Sequence, residues 1–219
     1  MTAPVIAIDG PSGSGKSTVA RGVATRLGLH VLDTGAMYRS VTLAVLTARG
    51  DLHDQGVCAR IVEESHVDLE DGTVWLNGLD VSAEIRGPEV TAAVSIVSAH
   101  PAVRMQLVAR QQTWVEEHGG GVVEGRDIGT VVFPKATVKV FLTASEEERA
   151  NRRHRDETAA DRATEVAEVA ASLARRDAID SSRAASPLRA ADDALVVDTT
   201  GRAVAEIVEQ FRINEREAS

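Results

Sequence analysis

The chain has 219 residues, 43% of them hydrophobic and 26% charged, and its formal net charge is −9 at pH 7. This length and apolar content suit one α/β domain, with or without an insert, and exclude a miniature fold held by disulfides. The negative charge argues against a dedicated nucleic-acid binder, which needs accessible positive charge, but a small anion in a local basic pocket stays compatible with it.

The distribution of apolar residues and cysteine indicates a cytoplasmic protein. No stretch approaches the roughly 18 continuous apolar residues of a membrane span, and residues 1–4 reach the first strand without the basic region of a signal peptide. The single cysteine, Cys58, cannot form an internal disulfide, which fits a reducing compartment. We therefore expect no membrane or nucleic-acid partner, and we expect a monomer.

The chain begins with a predicted strand, a glycine-rich loop and a predicted helix. Residues 5–9 form a short β-branched apolar run, which is typical of a buried parallel strand. Apolar residues then recur at helical spacing from Lys16 to Leu27, and Gly28 stands where the residue after a helix is often glycine.

The next predicted elements are a strand at 31–33, a helix at 36–48 closed by Gly50, and the end of another helix at 61–65. Between residues 66 and 81 the pattern changes to short alternating runs, broken by the turn pairs at 71–72 and 77–78. This change predicts a small antiparallel sheet inserted into a parallel α/β frame.

The second half of the chain returns to alternating helices and strands. Helices are predicted at 88–98, 101–118, 161–177 and 203–216, and strands at 122–124, 138–142 and 195–197. A capping box of Ser145 and Glu148 begins one more helix, which carries several arginines. The alternation predicts an α/β fold with a five-stranded, mostly parallel sheet flanked by helices.

The loop at residues 10–17 fits the phosphate-binding motif G-x-x-x-x-G-K-[ST], and it has the required strand before it and helix after it. Its backbone N–H groups and the positive end of the helix would face phosphates. Lys16, expected to be partly exposed, would reach the β and γ phosphates, and Ser17 would ligate Mg²⁺. The predicted nucleotide-binding residues are Gly10, Pro11, Ser12, Gly13, Ser14, Gly15, Lys16, Ser17 and Thr18.

Missing motifs narrow the class of nucleotide-binding protein. No asparagine is followed by lysine, as a guanine-reading motif would require, and the Ser-Gly-Gly signature of transport ATPases is absent. A small P-loop kinase remains, in which arginines of a lid neutralise the transferred phosphoryl group. Arg149, Arg152 and Arg153 share one helical face and fit such a lid, although pairing with Glu146, Glu147 and Glu148 on a solvated face is the alternative.

Taken together, these segments resemble the bacterial-type cytidylate kinase (CMP/dCMP kinase) family over nearly the whole chain. The resemblance is carried by residues 8–17, 32–39, 76–78 with 81–82 and 84–86, 124–134, 148–150 with 152–153, and 176–177 with 180–181 and 183. It implies transfer of the γ-phosphoryl of ATP, with Mg²⁺, to CMP or dCMP. It also implies a core of residues 1–65, 101–148 and 178–219, an acceptor-binding insert at 66–100 and a lid at about 149–177.

The resemblance further assigns site residues. Arg39, Arg126 and Arg183 match positions that hold the acceptor phosphate, and Arg104, Asp127 and Thr34 match positions that read the cytosine edge. Ser95, Arg176 and Asp180 match sugar-binding positions, and Tyr38 is assigned to the acceptor pocket. Asp33 is interpreted either as a carboxylate that orders a Mg²⁺-bound water or as an ordinary loop carboxylate. Lys16, Arg149, Arg152 and Arg153 are the expected catalytic residues.

Two other functions stay open at the level of the sequence. One is a small P-loop kinase that phosphorylates a different nucleotide or another anionic metabolite. The other is a non-enzymatic nucleotide-binding protein, which would need no acceptor pocket and is disfavoured by the arginines at 39, 126 and 183.

Overall fold

The computed structural model describes residues 4–70, 72–159, 165–183 and 186–217. The chain divides into two compact units, Met1–Val31 with His118–Ser219, and Leu32–Glu117. The second unit contains the predicted insert at 66–100 together with sequence on both sides of it. Assignment of 66–100 to acceptor binding stays a prediction.

The predicted parallel sheet is confirmed. It has five strands in the order β2-β6-β1-β7-β8. These strands are β1 (Val5–Asp9), β2 (Val31–Asp33), β6 (Gly121–Gly125), β7 (Val138–Thr143) and β8 (Leu195–Asp198). β1 lies between β6 and β7, with Ile6 opposite Val122 on one side and Val138 on the other. Because parallel neighbours need crossover connections, residues far apart in sequence become adjacent at the carboxyl ends of these strands.

Four helices belong to the first unit: α1 (Lys16–Leu27), α6 (Glu146–Ala159), α7 (Val166–Ser182) and α8 (Val204–Glu217). The apolar face of α1 packs on the sheet through Val19 and Val23, which join Ile8 and Leu142 in one buried cluster. At its end Gly28 adopts φ 65°, and its N–H donates to Ala24 O, as the glycine there predicts.

The predicted helix at 161–177 ends later in the structure than the sequence predicts. α7 runs over Val166–Ser182, and residues 160–164 lie outside the described residues. The helix continues past Asp177 because the next polar turn is partly buried: Asp180 is 3% exposed and faces Arg126. A polar pattern that looks like a solvated helix end is therefore part of a buried ion pair.

The described part of the second unit begins with α2 (Thr34–Thr47), α3 (Gln55–Glu64), β3 (Val67–Glu70), β4 (Thr73–Leu76) and β5 (Leu79–Asp80). A short 3₁₀ turn at Glu84–Arg86, α4 (Pro88–Val97) and α5 (Pro101–Glu117) complete it. The antiparallel order β3-β4-β5 confirms the predicted insert sheet. Its second turn has Asn77 at φ 52° and Gly78 at φ 80°, as this residue pair predicts; Asp71 lies outside the described residues.

The helix α2 starts earlier than the sequence predicts. α2 begins at Thr34 and not at residue 36, because the Asp33 side chain accepts a hydrogen bond from Ala36 N and caps the helix there.

Over the described residues, no single helix is long and apolar enough to span a membrane. α4 and α5 would meet that test of length and composition only as a pair, and they are bent by 100°.

Candidate active site

The glycine loop joins the carboxyl end of β1 to the first turn of α1. Gly10, Gly13 and Gly15 have φ values of 149°, 77° and 89°, which L side chains rarely adopt. A Cβ at Gly10 would also lie 2.2 Å from Leu142 O, so the loop requires glycine there. No side chain caps α1 at Gly15. The first N–H groups of the helix are therefore suited to a phosphate, as the motif predicts.

Lys16 is more buried than the sequence suggests. The expected partial exposure is wrong: the residue is 8% exposed, and its Nζ donates to Pro11 O at 2.7 Å. The Lys16 amine therefore contacts the backbone of the same glycine loop that is expected to bind phosphate. Burial, with the nearby Arg126 guanidinium as the next cause, lowers the pKa of Lys16 from 10.5 to about 7.

Two buried acids lie at the ends of adjacent strands, and sequence reasoning gave neither a role. Glu124, near the end of β6, accepts a hydrogen bond from Ser17 Oγ at 2.9 Å, and its charge raises the pKa of Lys16 against the effect of burial. Asp9, the last residue of β1, is 4% exposed, and burial raises its pKa to about 6. Both are single acids in otherwise apolar strand sequences, a signal that was available in the sequence.

The segment after β6 carries Arg126 and Asp127. Arg126 Nη1 donates to Gly10 O at 2.8 Å, and its Nε donates to Asp180 Oδ2 at 3.0 Å. Asp127 is buried, and a single wide helical turn at Ile128–Val132 follows it, with hydrogen bonds from Val132 N to Asp127 O and from Phe133 N to Ile128 O. The sequence did not predict this turn, because a π-type turn has no recognised periodicity.

The arginines of α6 lie against the glycine loop. A Cβ on Gly13 would be 2.9 Å from the backbone oxygen of Arg149, so α6 and the glycine loop are in direct contact. Arg149 Nη1 donates to Ser12 O and to the Asp177 carboxylate, and Asp177 also accepts from Ser12 N. Asp177 therefore joins α7 to the glycine loop and to α6. The sequence analysis did not predict this connection.

The other two arginines of the predicted lid differ from one another. Arg152 donates to Glu148 at 2.8 Å, one of the expected surface partners, but it also donates to the side chain and backbone of Thr199. Its Nη1 would lie 3.4 Å from a Cβ on Gly15. Arg153 is partly buried, and its charge contributes to lowering the pKa of Arg176.

Arg176, Asp180 and Arg183 lie on α7 and at its end. Burial, with Arg126 as the next cause, lowers the pKa of Arg176 to about 10. Arg183 Nη1 lies 3.9 Å from Asp180 Oδ1, so this carboxylate faces two arginines. The structure thus groups buried Lys16 with the partly buried Arg126 and Arg176 in a cationic cluster close to the glycine loop, and Glu124, Asp9 and Asp180 are carboxylates that oppose its charge.

The remaining predicted site residues belong to the second unit. Arg39 Nη1 donates to Ile85 O at 2.8 Å and to Thr91 Oγ1 at 2.9 Å, so α2 is tied to the start of α4. The Arg104 guanidinium lies over the Tyr38 ring, 5.5 Å from its centroid. Thr34 and Ser95 are buried in α2 and α4. These residues are assembled on α2, α4 and α5, whereas Asp33 serves as the α2 cap.

Several buried polar atoms around the glycine loop have no hydrogen-bond partner within the described residues: Ser14 Oγ, Arg149 Nε and Arg176 Nε. Unsatisfied buried donors in a cationic site are what an anionic ligand would satisfy. Across the described part of the chain there is no group of three or more His, Cys, Asp or Glu side chains that could hold a metal ion. The unsatisfied donors thus fit a bound polyphosphate.

Comparison with known proteins gives a consistent family. The family model described as cytidylate kinase matches residues 6–215. A cytidylate kinase of Mycobacterium leprae is 52% identical over 208 residues, covering 95% of this chain and 93% of the relative. A cytidylate kinase of Geobacillus kaustophilus is 46% identical over 217 residues, covering 96% of each chain.

Among solved structures, an uncharacterized protein from Eubacterium ventriosum is similar in fold. It superposes with a TM-score of 0.55 at 10% sequence identity, over 97% of each chain. At this identity the likeness concerns the fold alone.

Proposed function

This chain belongs to the cytidylate kinase family, and we propose that it transfers the γ-phosphoryl of ATP to CMP or dCMP, giving ADP with CDP or dCDP. The observation that carries the proposal is the cationic cluster of Lys16, Arg126 and Arg176 beside the glycine loop. The Arg126 guanidinium lowers the pKa of both Lys16 and Arg176, and Arg176 adds to the lowering at Lys16, so a multiply charged anion bound among these three cations would relieve their repulsion. A donor triphosphate and an acceptor monophosphate supply that anion.

The glycine loop and the start of α1 would bind the ATP phosphates through backbone N–H groups, and Lys16 would add a positive charge. Mg²⁺ is proposed to accompany ATP and to neutralise phosphate charge. Ser17 would be its protein ligand, and Glu124, which accepts from the Ser17 hydroxyl, is a better candidate than Asp33 for ordering the surrounding water. Asp33 already accepts from the backbone of α2.

Catalysis in this proposal depends on positioning and on charge. The attacking oxygen of the acceptor phosphate is already anionic, so no strong general base is needed, and no covalent enzyme intermediate forms. Arg149, Arg152 and Arg153 are proposed to act on the charge that spreads over the transferred phosphoryl group. Arg149 and Arg152 contact the residues that surround the glycine loop, which supports this role.

For the acceptor phosphate we propose Arg39, Arg126 and Arg183, since bidentate arginine suits phosphate recognition. For the sugar we propose Ser95, Arg176 and Asp180. Asp180 pairs with Arg126 in this structure, so a bound nucleotide would have to share that carboxylate with the arginine or displace it. Tyr38 is proposed to line the acceptor pocket.

The cytosine base is proposed to be read by Asp127, Arg104 and Thr34. A carboxylate accepts from the exocyclic amine of cytosine, and a guanidinium donates to its carbonyl and ring nitrogen. Uracil presents the opposite pattern at those positions, which would leave buried polar groups unpaired.

A coupled assay of ADP release with ATP tests the function, using CMP, dCMP, UMP, AMP and shikimate as acceptors. We expect CMP and dCMP to give the highest kcat/KM. Preference for a different acceptor would favour another small P-loop kinase, and ADP release that does not depend on any acceptor would favour a nucleotide-binding protein without transferase activity. Size-exclusion chromatography with light scattering tests the predicted monomer, and fractionation tests the predicted cytoplasmic location.

A further inference from the structure

Residues 126–129 are held against the end of β1 by three hydrogen bonds, one from the side chain of Arg126 and two from the backbone amides of Ile128 and Gly129. Ile128 N donates to Asp9 Oδ1 at 2.8 Å, and Gly129 N donates to Asp9 Oδ2 at 2.7 Å. Arg126 Nη1 donates to Gly10 O at 2.8 Å. The residue pair Asp9 and Gly10, where the phosphate-binding loop begins, is thereby bound to the segment that carries Asp127.

The wide turn at Ile128–Val132 explains why an external acceptor is needed. The first N–H groups of any helical turn lack partners within the turn. Asp127, at the capping position, makes no side-chain cap hydrogen bond. Asp9 supplies both missing acceptors from the neighbouring strand, 119 residues earlier in the chain for Ile128.

We propose that Asp9 is a positioning residue that fixes the orientation of Asp127 and so sets selectivity for the acceptor base. This inference rests on the proposed role of Asp127 in reading cytosine. On one side of Asp127, β6 ends at Gly125, which pairs in register with Asp9 itself. On the other side, the two amides are bound by the Asp9 carboxylate, so the backbone that carries Asp127 is fixed at both ends.

Only an ionised acid of this length fits the arrangement. A carboxylate offers two acceptor oxygens, whereas the amide of asparagine offers one oxygen and one NH₂ donor, which would oppose an N–H group. Asp9 is 4% exposed, so water has little access to replace the lost acceptor. Glutamate would keep the charge but move the carboxylate by one methylene group.

The experiment compares Asp9→Asn and Asp9→Glu with the wild-type enzyme. We expect each folded variant to raise the KM for CMP about tenfold or more, since a charge-assisted hydrogen bond is lost or displaced. The CMP:UMP ratio of kcat/KM should fall, while the KM for ATP changes less than about twofold. Asp54→Asn is the matched control, because Asp54 also accepts a backbone N–H, from Val57, but lies at the start of α3.

Hydrogen exchange in the wild-type protein tests the same contact independently of whether the variants fold. The amides of Ile128 and Gly129 should exchange as slowly as those of β6. Fast exchange there, or folded Asp9 variants with an unchanged CMP:UMP ratio, would overturn the inference. The two proposals fail differently. If Asp127→Ala leaves the CMP:UMP ratio of kcat/KM unchanged, base reading by Asp127 is wrong. If that ratio collapses in Asp127→Ala but not in Asp9→Asn, only the positioning role of Asp9 is refuted.

Discussion

Lys16→Met is expected to stabilise the ligand-free protein while removing most of its activity. In the absence of phosphates, the Lys16 ammonium is buried near Arg126 and Arg176, and these surroundings lower its pKa from 10.5 to about 7. Methionine keeps most of the aliphatic volume and carries no charge. The variant therefore separates the cost of burying this cation from its use on phosphates.

The size of the effect follows from the pKa. At about 1.4 kcal/mol per pH unit, the lowered pKa sets an upper limit of about 5 kcal/mol on the destabilisation by charged Lys16. Loss of the donor to Pro11 O offsets about 1 kcal/mol of the gain. Local relaxation reduces it further, so we expect a net gain of about 1–3 kcal/mol, or a rise in Tm of about 3–9 °C for a chain of this size.

The lowered pKa of Lys16 also predicts how the stability of the wild-type protein changes with pH. Between pH 7 and 10.5 the unfolded chain keeps the lysine proton that the folded protein has released, so wild-type stability rises with pH in this window. The advantage of Lys16→Met should be complete below pH 7 and vanish as pH approaches 10.5. Thermal unfolding at several pH values, in buffers without phosphate or sulfate, measures this difference.

Activity is measured in the same preparation by coupled ADP release, and kcat should fall by about 100-fold or more. Lys135→Met, at an exposed position, is the control and should change neither Tm nor kcat. A variant that melts at or below the wild-type Tm would refute the argument from burial. Near-normal kcat would refute the assignment of the phosphate-binding motif.

Four further substitutions test other parts of the site. Asp127→Ala should lower kcat/KM for CMP by about 10- to 100-fold with little change for UMP or in the KM for ATP, measured in parallel acceptor titrations; equal losses for both acceptors would contradict base reading. Arg153→Ala should lower mainly kcat, because contacts of the proposed lid strengthen in the transition state, whereas Arg39→Ala should raise mainly the KM for CMP. If Arg153→Ala changes only the KM for CMP, this assignment of Arg153 to the transition state is wrong. Asp177→Asn should lower the free energy of unfolding by about 1–3 kcal/mol in urea, since buried Arg149 loses its ion pair; an unchanged midpoint would show that this pair adds no net stability.

The sequence was sufficient to predict those parts of the structure that depend on residues close together in the chain. The strand, glycine loop and α1 follow from a short motif whose glycines occupy backbone conformations closed to other residues. The turn at Asn77 and Gly78 follows from the same local logic, and it identifies the antiparallel insert. Strand and helix alternation likewise predicts the parallel sheet, because each period reports which face of a segment is buried.

Only the tertiary structure decided which side chains meet. Nothing in the local pattern pairs Asp9 with the amides of Ile128 and Gly129, because that contact exists only once β1 and β6 are adjacent and in register. The burial of Lys16 and the ion pair between Arg149 and Asp177 arise in the same way. Periodicity records whether a position faces the core, but the partner of a buried charge is set by contacts between segments distant in the chain, and these appear only when the sheet has assembled.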